Sequence, residues 1–252
     1  MKFPTGIDML DQQVGGVYEG LIVLLEEVGA GGREFAVTSL MKNANRDFDL
    51  NYVSITQTRD EIIRDLKIMF PEAKSDKLIE RLNVISLAEV YFRRSIVPMR
   101  WVAERRLRVE ELKGEKDILA RLAEVVEGFS RGIVFLDSLT DLTRLTDERI
   151  SWSDLIDLIK GFRKLCIKRE VLMMLLLTKG VLDKSKEEEL LDQADAVFVF
   201  EWQIEKDTIT RWLYFKKFLG ILPILEKEGI VKYNAKIDPG VGYTITRLLR
   251  VV

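Results

Sequence analysis

The sequence predicts an α/β fold: a mostly parallel central sheet, helices on both of its faces, and an antiparallel C-terminal extension. Three observations predict it. Short apolar runs alternate with helical periodicity at the spacing of βαβ units. Several of the apolar runs are continuous rather than alternating, as strands buried on both faces must be. After Ala196 the helical pattern stops and strand-like runs follow one another, as at an antiparallel sheet edge.

Taken in order, Leu21–Leu25 (LIVLL) is a buried strand ended by the turn Gly29-Ala30-Gly31-Gly32. Phe35, Val37, Leu40 and Met41 then fall on one helical face, so the unit reads strand, glycine loop, helix. Tyr52–Ile55 reads as the next strand and Asp60–Phe70 as its helix, closed by Pro71. Val84–Leu87 is a strand and Ile118–Phe129 a helix. Ile133–Leu136 is a buried strand ending in Asp137. An amphipathic helix over Trp152–Arg169 leads into the strand Val171–Leu177. The late strands are Val197–Trp202 and Thr208–Phe215, joined by the turn Glu205-Lys206-Asp207, then Gly229–Tyr233 and Tyr243–Thr246. With no internal repeat and no Pro/Ser-rich linker, one domain over residues 1–252 is expected.

Composition narrows the chemistry. The chain has 252 residues, 47% hydrophobic and 32% charged, enough for a large core and too apolar for a disordered chain. Lys+Arg 39 against Asp+Glu 41 leaves a net charge of -2, so no global basic field draws it onto nucleic acid. Histidine is absent, which removes His metal sites and Ser–His or Cys–His catalysis. The lone Cys166 excludes an intramolecular disulfide and a Cys-cluster zinc site, and its apolar surroundings predict a core position. The chain opens without an apolar signal segment, and its longest apolar run, Val171–Leu177, is far too short to cross a membrane, so a cytoplasmic protein is expected. High charge with little Asn, Gln, Cys and no His leans toward a thermophile.

Two segments carry the chemistry. A phosphate-binding loop needs glycines so that backbone N–H groups can wrap the phosphates, then Lys for charge and Ser/Thr for magnesium. A second strand ending in Asp orients the metal. The second part is present as Ile133-Val134-Phe135-Leu136-Asp137-Ser138-Leu139-Thr140. The first is altered: in the register GxxxxGK[ST] the chain reads Glu27-Val28-Gly29-Ala30-Gly31-Gly32-Arg33-Glu34. Here the chain resembles the RecA/KaiC superfamily of ATPases, particularly archaeal KaiC-like proteins. Thr5-Gly6-Ile7-Asp8-Met9-Leu10-Asp11, Gly15-Gly16 and Glu19-Gly20 are similar to that family's TGIPGLD…GG…EG opening. Phe135–Thr140 resembles its Walker B, and Tyr52–Ile55 with Glu61-Ile62-Ile63 its second strand and helix. The resemblance runs from Thr5 to about Thr246, fits Phe92–Lys113 poorly, and implies a RecA-like P-loop fold.

The departures bear on function. The family's catalytic Glu pair falls on Thr56 and Gln57, and its KxRG element on Lys217-Phe218-Leu219-Gly220, with Leu219 in place of Arg. Three parts of one mechanism are altered together, which implies a homologue that no longer hydrolyses ATP and acts as a binding, regulatory or structural subunit. Gly29, Gly31, Gly32, Arg33, Glu34 and Asp137 are then a vestigial nucleotide site, with no catalytic residue and no metal site assigned. The glycines still allow anion-binding geometry at a helix N-terminus, so ATP with magnesium binds weakly if at all. Glu27 and Glu34 bracket the loop and oppose a polyanion, while Arg33 cannot replace a compact ammonium. With no phosphate there, Arg33 is expected either to pair with Asp137, Glu27 or Glu34, or to turn to solvent. Taken alone, the loop is also a plain strand-to-helix turn, Asp137 a strand-end cap and Lys217 a solvated edge-strand lysine. A residual slow NTPase is the alternative function. Another is a recombinase-like paralogue that binds single-stranded DNA through Arg93, Arg94, Arg100, Arg105, Arg106 and Arg108, interleaved with Tyr91, Phe92 and Trp101. The plainer reading of that segment is an exposed helix paired with Glu110, Glu111 and Glu115. The resemblance implies as partner a second copy of the chain or a related active subunit.

Overall fold

The computed structural model describes residues 1–73, 76–103, 117–146, 148–205, 208–230 and 232–247. A short antiparallel pair, β1 (Lys2–Phe3) and β2 (Val17–Tyr18), brackets α1 (Asp8–Val14). Asp11 ties this opening together by accepting from the Thr5 and Gly6 N–H groups at 2.7 and 2.9 Å. The central sheet follows with β3 (Gly20–Glu26), α2 (Gly32–Lys42), β4 (Asp49–Ser54), α3 (Arg59–Met69), α4 (Asp76–Arg81), β5 (Leu82–Ser86) and α5 (Ala88–Phe92). It continues through α6 (Ile118–Glu127), β6 (Gly132–Asp137), α7 (Leu139–Thr143), α8 (Trp152–Arg169), β7 (Val171–Thr178) and α9 (Lys184–Asp192). It closes with β8 (Ala196–Glu205), β9 (Thr208–Phe218), α10 (Leu222–Lys227), β10 (Tyr233–Asp238) and β11 (Gly242–Arg247).

The nine strands run β11-β10-β9-β8-β3-β7-β6-β4-β5. From β8 to β5 every pairing is parallel, and from β8 to β11 every pairing is antiparallel. The two-sided burial anticipated from the apolar runs is visible within single strands. In β3, Ile22 and Leu24 enter the core layer under α1, α2, α3 and α10, whereas Leu21, Val23 and Leu25 enter the layer under α6, α8 and α9. Phe35 of α2 anchors the first layer by meeting Phe198, Phe200 and Tyr243 at centroid distances of 5.5–5.7 Å. Cys166 is fully buried in the second layer, and burial pushes its thiol up to about 12.

Helix starts follow side-chain chemistry. Thr58 and Glu61 form a reciprocal capping box at α3, and Asp117, Ser151 and Asp183 cap α6, α8 and α9. Four expectations are corrected. The strand expected over Gly229–Tyr233 begins only at Tyr233, because Gly229 takes a positive φ of 70° just after α10 and turns the chain first. Lys217 is not on an edge strand, since β9 lies between β8 and β10; its ammonium donates to the Asp192 carbonyl at 2.7 Å. Helix α9 lies where no element was anticipated. The helix expected through the Arg-rich segment stops at Phe92, and Met99–Trp101 is a single 3₁₀ turn. Arg105, Arg106, Arg108 and Glu110, Glu111, Glu115 lie outside the described residues, as do Lys206 and Asp207 of the anticipated turn. Among the described residues no helix is long and apolar enough to cross a membrane.

Candidate functional site

The parallel strands β3, β7 and β6 end side by side, and open parallel sheets place their ligand crevice at such ends. Glu26 ends β3 and Asp137 ends β6, with β7 between them. Two interstrand spacings separate these ends by roughly 10 Å. Arg33, the second residue of α2, reaches Asp137 from the start of that helix. Its Nη2 donates to Asp137 Oδ1 at 2.9 Å, and the Tyr52 hydroxyl donates to Asp137 Oδ2 at 2.6 Å. Asp137 is only 3% exposed, so a carboxylate there requires this support. Of the partners open to Arg33, the structure brings Asp137 to it.

Electrostatics are mutual. Burial opposes the charge on Arg33, but the Asp137 carboxylate, Tyr52 and Glu26 together outweigh it and hold the guanidinium pKa above its ordinary value. Burial, reinforced by Asp137, raises the Tyr52 phenol well above its usual range, so Tyr52 remains a donor. Asp141, on α7, accepts from Ser138 Oγ at 3.0 Å and from Thr56 Oγ1 at 3.3 Å, and burial raises its pKa. Gln57 donates through Nε2 to Asp65 at 2.9 Å. Thr56 and Gln57 are therefore both hydrogen-bonded to carboxylates of this chain. The Asp137–Ser138 peptide bond is cis.

The glycine loop has a fixed path. Gly29 and Gly31 take φ of 79° and 112°, and a Cβ on Gly31 would come within 2.7 Å of the Tyr243 ring, so a side chain is excluded twice over. The β8–β9 hairpin grips the loop from the other side. The Glu27 N–H donates to the Phe200 carbonyl, Trp202 Nε1 to the Val28 carbonyl, and Arg211 Nε to the Gly29 carbonyl, at 3.0, 3.0 and 3.4 Å. The Arg211 guanidinium also stacks over the Trp202 ring at 4.1 Å.

Glu27 does not face the loop interior. Its carboxylate accepts from the Trp202 N–H at 3.0 Å and pairs with Lys179 at 3.2 Å. Lys179 also pairs with Glu201, which accepts from the Tyr214 hydroxyl at 2.9 Å. The carboxylate that does turn into the loop is Glu26, whose Oε2 accepts the Gly32 N–H at 2.8 Å. Burial raises the Glu26 pKa, and the amides of Gly32 and Arg33 counteract this only in part. Sequence reasoning assigned roles to Arg33, Asp137 and the glycines, and the structure brings these together. It did not find Glu26, Tyr52, Asp141, Trp202, Arg211 or Tyr243. Glu26 carried one signal, an acidic residue directly between a buried strand and a glycine loop.

The residues do not fit a magnesium–nucleotide pair. Position 34 carries a carboxylate and no hydroxyl, each Asp137 oxygen already accepts a hydrogen bond, and Glu26 already accepts the Gly32 N–H that opens α2. Among the described residues no group of three or more His, Cys, Asp or Glu side chains is arranged to hold a metal ion.

Replacing Arg33 with Ala is expected to leave the Asp137 carboxylate buried with Tyr52 as its remaining donor. The cost should be about 2–3 kcal/mol in urea unfolding at pH 7, below a fully buried pair because Arg33 is partly exposed. A loss under about 0.5 kcal/mol would show that the pair contributes no net stability. Glu26 gives a pH dependence of definite sign. A carboxyl whose folded pKa is raised holds its proton longer in the folded than in the unfolded chain. Stability therefore falls as pH rises from the ordinary carboxylate value through the raised one. Glu26→Gln should remove that decline, so the variant gains on the wild type between acid and neutral pH in parallel thermal melts. A constant difference across that window would refute the assignment.

Similarity to solved structures agrees with this architecture. The chain is similar to the flagellar accessory protein FlaH from Methanocaldococcus jannaschii, with a TM-score of 0.66 and 15% identity over 95% of each chain. It is also similar to the KaiC-like protein PH0186 from the hyperthermophilic archaeon Pyrococcus horikoshii OT3, with a TM-score of 0.65 and 15% identity over 98% of this chain and 99% of that one. No protein-family model matches the chain, and no curated protein matches it by sequence. At this identity the likeness establishes the fold: a RecA-like α/β fold of the KaiC-like kind, with a mostly parallel sheet and antiparallel C-terminal strands.

Proposed function

We propose that this protein is a catalytically inactivated RecA/KaiC-like homologue that acts through binding, as a regulatory or structural subunit rather than as an ATPase. The observation that carries the reading is the Arg33–Asp137–Tyr52 group. Where an active relative balances phosphate and magnesium charge against protein groups, this chain balances its own. The altered general-base positions support it, since Thr56 and Gln57 are hydrogen-bonded to Asp141 and Asp65. Leu219, in the place of the family's Arg, is 70% exposed and offers no charge to a neighbour's phosphate. The same proposal takes residues 1–252 as one cytoplasmic domain, which a sheet continuous from β11 to β5 supports. The thermophile and archaeal reading is supported by the sources of the two similar structures.

As partner we propose a second copy of the chain or a related active subunit. Val28 at the loop tip is 81% exposed, and Ile204 and Ile209, paired across the β8–β9 hairpin, are also exposed. Apolar surface gathered beside a glycine loop suits a subunit contact better than open solvent.

Purified protein should show no ATP turnover above background with magnesium present, because losing a water-orienting group and a transition-state cation costs several powers of ten in rate. Turnover that Asp137→Ala abolishes would overturn the reading in favour of a slow NTPase. Light scattering should show self-association, or a pull-down should recover a related subunit. A strict monomer at high concentration with no related subunit recovered would count against the partner proposal.

A further inference from the structure

The first amides of a helix are where phosphate oxyanions bind, because unpaired N–H groups and the helix dipole both favour negative charge there. In this chain a carboxylate already holds that position. Glu26 folds back from the end of β3, and its Oε2 accepts the Gly32 N–H at 2.8 Å. The seat is close: a Cβ on Gly32 would lie 2.9 Å from the same oxygen. Arg33, one residue on, supplies a fixed cation whose charge favours the ionised form.

Further polar atoms around the seat lack partners. The Tyr243 hydroxyl is buried without a hydrogen bond, on a ring 1% exposed that lies against Gly31 and is reached by the charges of Arg211, Glu34 and Glu26. Arg33 Nε is also buried without a partner. A plain strand-to-helix turn leaves no such surplus of donors around its amides. These donors match an oxyanion with more acceptor oxygens than one carboxylate offers.

We propose that the Glu26 carboxylate is an internal surrogate for a phosphate oxyanion, seated on the first amides of α2, and that it keeps phosphate groups out of the glycine loop. This rests on the reading of the loop as an altered nucleotide site. A tethered carboxylate competes as an intramolecular ligand, at an effective concentration on the order of millimolar or more. It also repels any second anion that approaches the same amides. The remaining glycine geometry is therefore an anion site that is intact but occupied from within.

The test is calorimetric titration of magnesium-free sodium pyrophosphate into the full chain and into Glu26→Ala and Glu26→Gln, with circular dichroism to check folding. Wild type should bind weakly or not at all. Glu26→Ala should bind at least tenfold more tightly, and Glu26→Gln, which keeps an acceptor but loses the charge, should fall between them. A folded Glu26→Ala with affinity within twofold of wild type overturns the proposal. So does wild type that binds as tightly as the alanine variant. If Glu26→Ala does not fold, Glu26→Gln decides: a gain supports the surrogate and no gain overturns it. If neither folds, the side chain is a structural cap and the proposal fails. These outcomes are separate from the ATPase reading, because pyrophosphate binding in a variant leaves absent turnover untouched, and turnover by the wild type would overturn that reading first.

Discussion

A carboxylate at the buried end of a central strand must be matched by a cation and by donors, and the site around the glycine loop is organised by that requirement. Asp137 sits where β6 leaves the sheet, nearly sealed from water, and an unmatched charge there would cost several kcal/mol. In an active nucleotide enzyme such a group serves a metal. Here Arg33 reaches over the end of β7 to meet it, and Tyr52 closes the second oxygen from β4. This pair ties the first turn of α2 to the end of β6.

The loop is held as firmly from the opposite side. Glu27, Val28 and Gly29 are each bonded to β8 or β9, and Lys179 at the end of β7 joins Glu27 to Glu201. The two halves of the sheet, parallel and antiparallel, thus meet at the loop. An acidic residue at position 27 would be awkward next to a polyanion but is well satisfied facing a lysine. In the folded chain Glu27 is a fitted contact.

The large elements were legible because burial writes itself into composition. The runs LIVLL, IVFLD and VLMMLLL can be little other than strands covered on both faces, and Trp152–Arg169 was readable from its amphipathic pattern directly before the apolar run of β7. Tyr233–Asp238 was not legible, because YNAKID lies near the sheet margin with polar residues interleaved and its pairing to β9 and β11 is non-local. Helix α9 (KSKEEELLD) buries only Leu190 and Leu191, too few apolar residues to mark a face. At the site, Arg33 and Asp137 stood out because a motif defined their places. Tyr52, Trp202, Arg211 and Tyr243 come from distant strands, and only the tertiary fold brings them to the loop. Glu26 was overlooked beside Glu27, because neighbouring residues on an extended strand point to opposite sides and the sequence does not say which side faces the loop.

The linked contacts around Arg33 also constrain how the chain can change. A lysine placed at position 33 would exchange a planar fork that bridges to Asp137 for an ammonium of different reach, and would leave Glu26 on the Gly32 amide. A hydroxyl placed at position 34 would enter a site whose aspartate, Asp137, has both oxygens already engaged. Removing Glu26 alone would take away the carboxylate that accepts the Gly32 N–H at the start of α2. Each of these single changes costs a contact that the folded chain already makes. Glu26, Arg33 and Asp137 are therefore coupled positions: a change at one of them alone breaks a contact that the others rely on, so tolerated changes at the loop are expected in combination.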